Sequence, residues 1–195
     1  DTGTTEIYTV SLHDALPIYI GSWADHPLLI DALEEKYRRA LEKLGPNAEE
    51  SVHTIFTAHS IPSESLELGD PYAEEFDKTI KKLVQRVQPR YWFKAYQSQG
   101  MIPIPWLGPT VESVLDKIAK RGSKTVLIVP VGFVCDHVEI LFDIDIEFNK
   151  YANERKLSLH RTESLNLSPI FIEALASMTW EDRKSTRLNS SHTSI

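Results

Sequence analysis

Apolar positions recur along the middle of the chain in two alternating rhythms. Leu28, Leu29, Leu33, Tyr37, Leu41 and Leu44 return at helical spacing and stop at Gly45-Pro46, so residues 26–44 are expected to form an amphipathic helix with a C-terminal breaker. VHTIFTA (52–58) then reads as a strand. Asp70-Pro71 opens the next helix with an N-cap aspartate and a proline at N1, and Tyr72, Phe76, Ile80, Leu83, Val84 and Val87 form its buried stripe. YWFKAYQ (91–97) is the second strand. Thr110 caps a third helix, in which Val111, Val114, Leu115 and Ile118 share one face and which ends by Gly122. KTVLIVPV (124–131) is apolar almost throughout, the pattern of a strand covered on both faces. A helix over 137–154, a strand segment at 157–165 and a helix running from Ser168-Pro169 through Met178 complete the order. Helix and strand thus alternate as αβαβαβαβα. This predicts an α/β fold: a Rossmann-like, doubly wound, parallel four-stranded sheet with right-handed crossovers.

Composition narrows the class without choosing a function. At 195 residues, 42% hydrophobic and 25% charged, the chain can bury a core without disulfides. Its single cysteine, Cys135, excludes an internal disulfide and thiolate metal frameworks, so Cys135 is expected to be a small buried hydrophobe in a reducing compartment. No apolar run reaches the ~18–20 residues of a membrane span, and no signal-peptide pattern opens the chain, so a cytoplasmic protein with no transmembrane segment is expected. The 28 acids against 21 bases leave −7, which argues against a nucleic-acid partner. The ends read differently from the middle. Residues 1–18 and 183–195 lack periodicity and resemble translated sequencing-adapter sequence, so they are expected to be non-native tails around a domain of residues 19–182. Each tail carries three charged residues, acids at the front and bases at the back, so the net charge without them is still −7.

In a parallel sheet, ligands bind beyond the carboxyl ends of the strands. That rule selects Ala58-His59-Ser60, the segment from Gln97 to Gly100, the loop from Gly132 to Glu139, and Ser164-Leu165-Asn166. A histidine and a carboxylate, His59 and Glu139, fall at one edge and suit proton transfer or a divalent cation. Two plainer roles stand beside this: His59 as a core histidine bonded to a carbonyl, and Glu139 as a first-turn acid favoured by the helix dipole. Glu139, Asp143 and Glu147 follow one another at four-residue steps, about 40° apart on an α-helix. Ile140, Leu141, Phe142, Ile144, Ile146 and Phe148 fill the other positions, so this helix is expected to be buried nearly all round, with acids that need a partner or a cation. His137 and Glu139 lie about 200° apart on a regular helix and meet one ligand only if the helix starts late or has an irregular turn. Cys135-Asp136-His137 holds triad-like residue types, but chain neighbours rarely point at one spot, and no GxSxG elbow is present. Trp106, in the stiff stretch from Pro103 to Pro109, is either a loop anchor or a flat wall for a flat apolar ligand.

These segments resemble ferrochelatases. The resemblance rests on Ala58-His59-Ser60-Ile61-Pro62, Gly69-Asp70-Pro71-Tyr72, Tyr96-Gln97-Ser98, Trp106-Leu107-Gly108-Pro109, Val129-Pro130-Val131-Gly132-Phe133, Asp136-His137-Val138-Glu139, Asp145-Ile146-Glu147 and Glu163-Ser164-Leu165-Asn166. They keep the family's order and separations over residues 19–180. The resemblance implies one lobe, the C-terminal half, of a two-lobed enzyme that inserts Fe(2+) into a porphyrin, protoporphyrin IX or coproporphyrin III, in haem biosynthesis. It implies His59 and Glu139 as catalytic and metal-contacting groups on opposite sides of the macrocycle. Asp143 and Glu147 would form an acidic metal or proton path along a widened π turn, and Asp136 and His137 would stand near that turn. Trp106, Gln97 and Ser98 would line the porphyrin cleft. The missing N-terminal lobe is the implied partner, and without it the chain is expected to be inactive. Asp143 stands where many members have glutamate, Cys135 where serine or threonine is common, and no cysteine-rich extension follows, so no iron–sulfur cluster is expected. The alternatives are a related cobalt chelatase and a non-catalytic α/β module that binds a tetrapyrrole or metal.

Overall fold

A computed structural model of the chain describes residues 20–190, with side chains to residue 180. The tail expectations for residues 1–18 and 191–195 lie outside the described residues. Four strands form: β1 (His53–His59), β2 (Tyr91–Gln97), β3 (Thr125–Val129) and β4 (Ser158–Arg161). All neighbours are parallel, in the order β2-β1-β3-β4. The β1–β2 register sets His59 opposite Gln97. The helices are α1 (Pro27–Leu44), α2 (Ala48–Ser51), α3 (Glu64–Glu67), α4 (Tyr72–Val87), α5 (Val111–Lys120), α6 (Asn149–Glu154) and α7 (Pro169–Ser190), with a π-helix over Ile140–Phe148.

Strand alternation splits the core into two layers. Phe56, Ala58, Leu127 and Val129 face Leu33 and Tyr37 of α1, Ile80 and Leu83 of α4 and Phe171 of α7. Ile55, Ala95, Val126 and Ile128 face the other way, onto Leu115 and Ile118 of α5, Ile140 and Ile144 of the π-helix and Ala152 of α6. The crossover from β1 to β2 therefore runs through α4 on one face. The crossover from β2 to β3 runs through α5 on the other, so the winding reverses between β1 and β3. This is the switch point at which α/β sheets open a crevice.

Local signals hold with small shifts. Gly45 closes α1 at φ 105°, a conformation that favours glycine. Thr110 caps α5, its hydroxyl accepting the Ser113 N–H at 3.3 Å. The Asp70 carboxylate accepts the Tyr72 N–H at 2.9 Å, although α4 begins at Tyr72, a residue later than the proline-at-N1 expectation. The short helices α2 and α3 carry no periodic stripe and were not legible in the pattern. The last helix continues past Met178 to Ser190.

The largest difference concerns residues 137–154, expected as one buried α-helix. Its first nine-residue span after Glu139 is a π-helix, and only Asn149–Glu154 is α. Nor is it buried all round: Ile140, Ile144 and Phe148 face the core, while Leu141, Phe142 and Ile146 are exposed. The apolar residues outnumber the positions that a single packed face can cover. Cys135 is also exposed rather than buried, because it lies on the loop ahead of this helix.

Candidate active site

The loops at the carboxyl ends of the strands converge at the edge that the strand order selects, and His59 is held there from its own backbone outward. Its Nδ1 lies 2.6 Å from the Ser60 carbonyl, which can only accept, so Nδ1 carries the proton and Nε2 faces outward. The backbone beneath is tied on both sides. Ser60 donates its N–H to the Gln97 carbonyl at 2.7 Å and its hydroxyl to the Leu107 carbonyl at 2.9 Å. Tyr72 donates its hydroxyl to the His59 carbonyl at 3.0 Å. Burial, helped by the neighbouring Tyr96, pushes the Tyr72 phenol up to about 12, so it stays a donor at neutral pH.

Outward, His59 Nε2 meets Glu139 Oε2 at 3.5 Å, too close for a macrocycle to lie between them, so the two groups stand on one side of such a ring and not on opposite sides as expected. Both side chains are over a third exposed and reachable from solvent. The carbonyl-bonded reading of His59 holds at Nδ1, and Nε2 is left facing the Glu139 carboxylate. The pairing depends on Gly132. Its N–H donates to the Thr57 carbonyl at 3.1 Å, and a Cβ there would sit 2.6 Å from Ala58 Cβ and 2.8 Å from Ala58 Cα. Glycine lets the loop that carries Glu139 lie against the strand that carries His59. Phe133 follows, its ring centroid 6.4 Å from that of His59 and 5.2 Å from that of His137, so the two histidines share one aromatic neighbour.

Asp143 and Glu147 continue the row from Glu139 and border a recess with Gln97, Ser98, Thr110 and Glu112. The Ser98 hydroxyl donates to the Asp143 carboxylate. Gln97 is 3% exposed, yet neither amide atom has a hydrogen-bond partner among the described residues, an arrangement that costs free energy unless something polar reaches it. Among the described residues no three His, Cys, Asp or Glu side chains come close enough to share a metal ion.

Two further expected residues are engaged with the loops themselves. The Asp136 carboxylate accepts from Ser164 Oγ at 2.8 Å and Asn166 Nδ2 at 2.9 Å and pairs with Arg161 at 3.3 Å. Burial opposes its ionisation, but the Asn166 and Ser164 bonds and the Arg161 charge outweigh that and hold it below the usual aspartate value. Trp106 donates Nε1–H to the Ile102 carbonyl at 3.1 Å and lies across Gly100, where a Cβ would stand 2.7 Å from its ring. It anchors its own loop, the plainer of its two roles. Arg161, Glu112 and Gly132's contact with Ala58 were missed as site features. The available signal for Arg161 was a guanidinium at the carboxyl end of the fourth strand.

A doubly wound α/β domain with a histidine–carboxylate pair at its switch point is the class these features define. The ferrochelatase sequence profile matches residues 12–183, and the chain belongs to the ferrochelatase family. It is 41% identical over 156 residues to the ferrochelatase of Herpetosiphon aurantiacus, covering 80% of this chain and 51% of that protein. The Deinococcus radiodurans ferrochelatase is 38% identical over 162 residues, 82% of this chain and 51% of the relative. The mitochondrial ferrochelatase of Bos taurus is 34% identical over 161 residues, 82% of this chain and 39% of the relative. The chain spans about half the length of the bacterial relatives it matches. No helix among the described residues is long and apolar enough to cross a membrane.

Proposed function

We propose that this chain is the C-terminal lobe of a ferrochelatase, a cytoplasmic haem-biosynthesis enzyme that inserts Fe(2+) into a porphyrin, and that it does not turn over without its N-terminal lobe. The observation that carries this is the approach of His59 Nε2 to Glu139 Oε2 at 3.5 Å, from positions 80 residues apart in the chain. Metallation removes two pyrrole protons as one divalent cation enters. His59 Nε2, held outward by the Nδ1–Ser60 bond, accepts one proton, the Glu139 carboxylate steadies the resulting imidazolium, and the second proton leaves along the Asp143 and Glu147 carboxylates to solvent. The same two groups offer nitrogen and oxygen ligands suited to a ferrous ion. Asp143, oriented by Ser98, and Glu147 carry protons or cation between the cleft and solvent. Gln97 is aimed at the porphyrin side, where its unpaired amide finds a partner.

The test joins this chain to the N-terminal half of the Herpetosiphon aurantiacus relative and follows insertion of Fe(2+), Zn(2+) and Co(2+) through the porphyrin's visible spectrum. Insertion is expected in the joined protein, with losses of about 100-fold or more for His59→Ala and for Glu139→Gln, the scale of lost acid–base catalysis. The unjoined chain is expected to be inactive. Turnover that survives both substitutions overturns the roles assigned to His59 and Glu139. Tight porphyrin binding without turnover assigns the chain to the non-catalytic module, and insertion confined to Co(2+) to the cobalt enzyme. Protoporphyrin IX and coproporphyrin III assayed in parallel separate the two porphyrin substrates.

A further inference from the structure

We propose that Arg161 is a positioning residue for the site: it braces the π-helix against the loop in front of it and so sets the place of Glu139 opposite His59. The π-helix and the loop from Gly132 to Glu139 meet at this guanidinium. Nε and Nη2 bond the two oxygens of Asp145, inside the π-helix, at 2.6 and 3.0 Å. Nη1 lies 3.3 Å from Asp136, three residues before Glu139, and 3.2 Å from the Thr162 carbonyl. The Arg161 side chain is 17% exposed, so the fork is sheltered at its guanidinium end and open to water at Asp145. Asp136 is fixed in turn. Its N–H donates to Asn166 Oδ1 at 2.9 Å, its carboxylate takes the Asn166 amide and the Ser164 hydroxyl, and Asn166 donates its own N–H to the Val134 carbonyl at 2.9 Å. Asn166 sits at φ 46°, a left-handed conformation that asparagine tolerates, which turns its side chain back onto the loop.

Glu139 lies between the two carboxylates that Arg161 grips, one on either side of it in the chain. A π-helix has a costly hydrogen-bond pattern and slips readily to α, and such a slip rotates every residue ahead of it. A planar fork that holds Asp145 and Asp136 at once resists that rotation; a lysine, with one nitrogen, does not. The inference rests on the proposed partnership of His59 and Glu139, but its test reads their geometry rather than turnover. Failure of metal insertion in the joined protein therefore leaves it standing.

The experiment uses the 195-residue chain, labelled with 15N, at one fixed pH. Long-range 1H–15N spectra report the His59 imidazole, assigned by its absence in His59→Gln. Glu139→Gln is expected to displace the His59 resonances in the wild-type background, and to displace them less than half as far in the Arg161→Gln background. Asp145→Asn cuts the same fork from its exposed end and is expected to reproduce this loss; if Arg161→Gln fails to fold, Asp145→Asn carries the comparison alone. Equal displacement in parent and variant backgrounds overturns the proposal. Full recovery with Arg161→Lys overturns the role of the fork.

Discussion

Two helices on the same face of the sheet meet it in different ways. In α5, Val111, Val114, Leu115 and Ile118 recur at steps of three, one and three, and none is more than 1% exposed. In the π-helix, only Ile140, Ile144 and Phe148 reach the core, at steps of four, while Leu141, Phe142 and Ile146 stand 46%, 46% and 57% exposed. The wider coil spends more residues on each turn, so it covers less core per residue. In return the acidic row of Glu139, Asp143 and Glu147 runs directly beside the buried row, one position ahead of it all the way. α5 is built for burial, and the π-helix for keeping two rows in step.

The contrast breaks most readily at the buried residues. Leu115→Ala in α5 and Ile144→Ala in the π-helix, both fully buried, are each expected to cost about 2–5 kcal/mol in urea unfolding. A loss under about 1 kcal/mol for Ile144→Ala would show that the π-helix does not anchor the core. Next comes capping. Thr110→Ala removes the acceptor for the Ser113 N–H and is expected to destabilise by about 1 kcal/mol, whereas no side chain caps the π-helix. A neutral Thr110→Ala would remove capping from the contrast.

The third test is pH. The folded value of Asp136 lies below its unfolded one, so the bonds it makes stabilise fully above about 3.9, the ordinary aspartate value, and that contribution is lost as pH falls through the lower folded value. The stability gap between the parent chain and Asp136→Asn should therefore be constant from pH 7 to 5 and shrink on acidification. A gap that widens in acid contradicts the assignment. Smallest of all, Leu141→Ser and Ile146→Ser on the exposed side of the π-helix should each change stability by no more than about 0.5 kcal/mol.

The same contrast explains what the sequence could tell. The spacing of α5 admits one reading, and α5 forms with its cap at the expected threonine. Steps of four in 139–148 fit an α-helix and a π-helix equally well from periodicity, and the resemblance rather than the spacing pointed to a widened turn. The parallel sheet and the edge that gathers His59, Gln97 and Glu139 were legible because strand patterns and turn residues fix topology. The directions of Asp136 and Trp106 were not. Those are settled by Arg161, Asn166 and Gly100, residues distant in sequence or lacking a side chain, whose effect exists only once the loops have met.

The contact between Gly132 and Ala58 gives the site a gauge. The gap between His59 and Glu139 is measured from two segments in close contact, with only the Ala58 methyl group between their main chains. Any residue larger than glycine at 132 acts as a shim and moves one half of the pair bodily from the other. The closest approach of the two halves is therefore set by main-chain thickness and one methyl group.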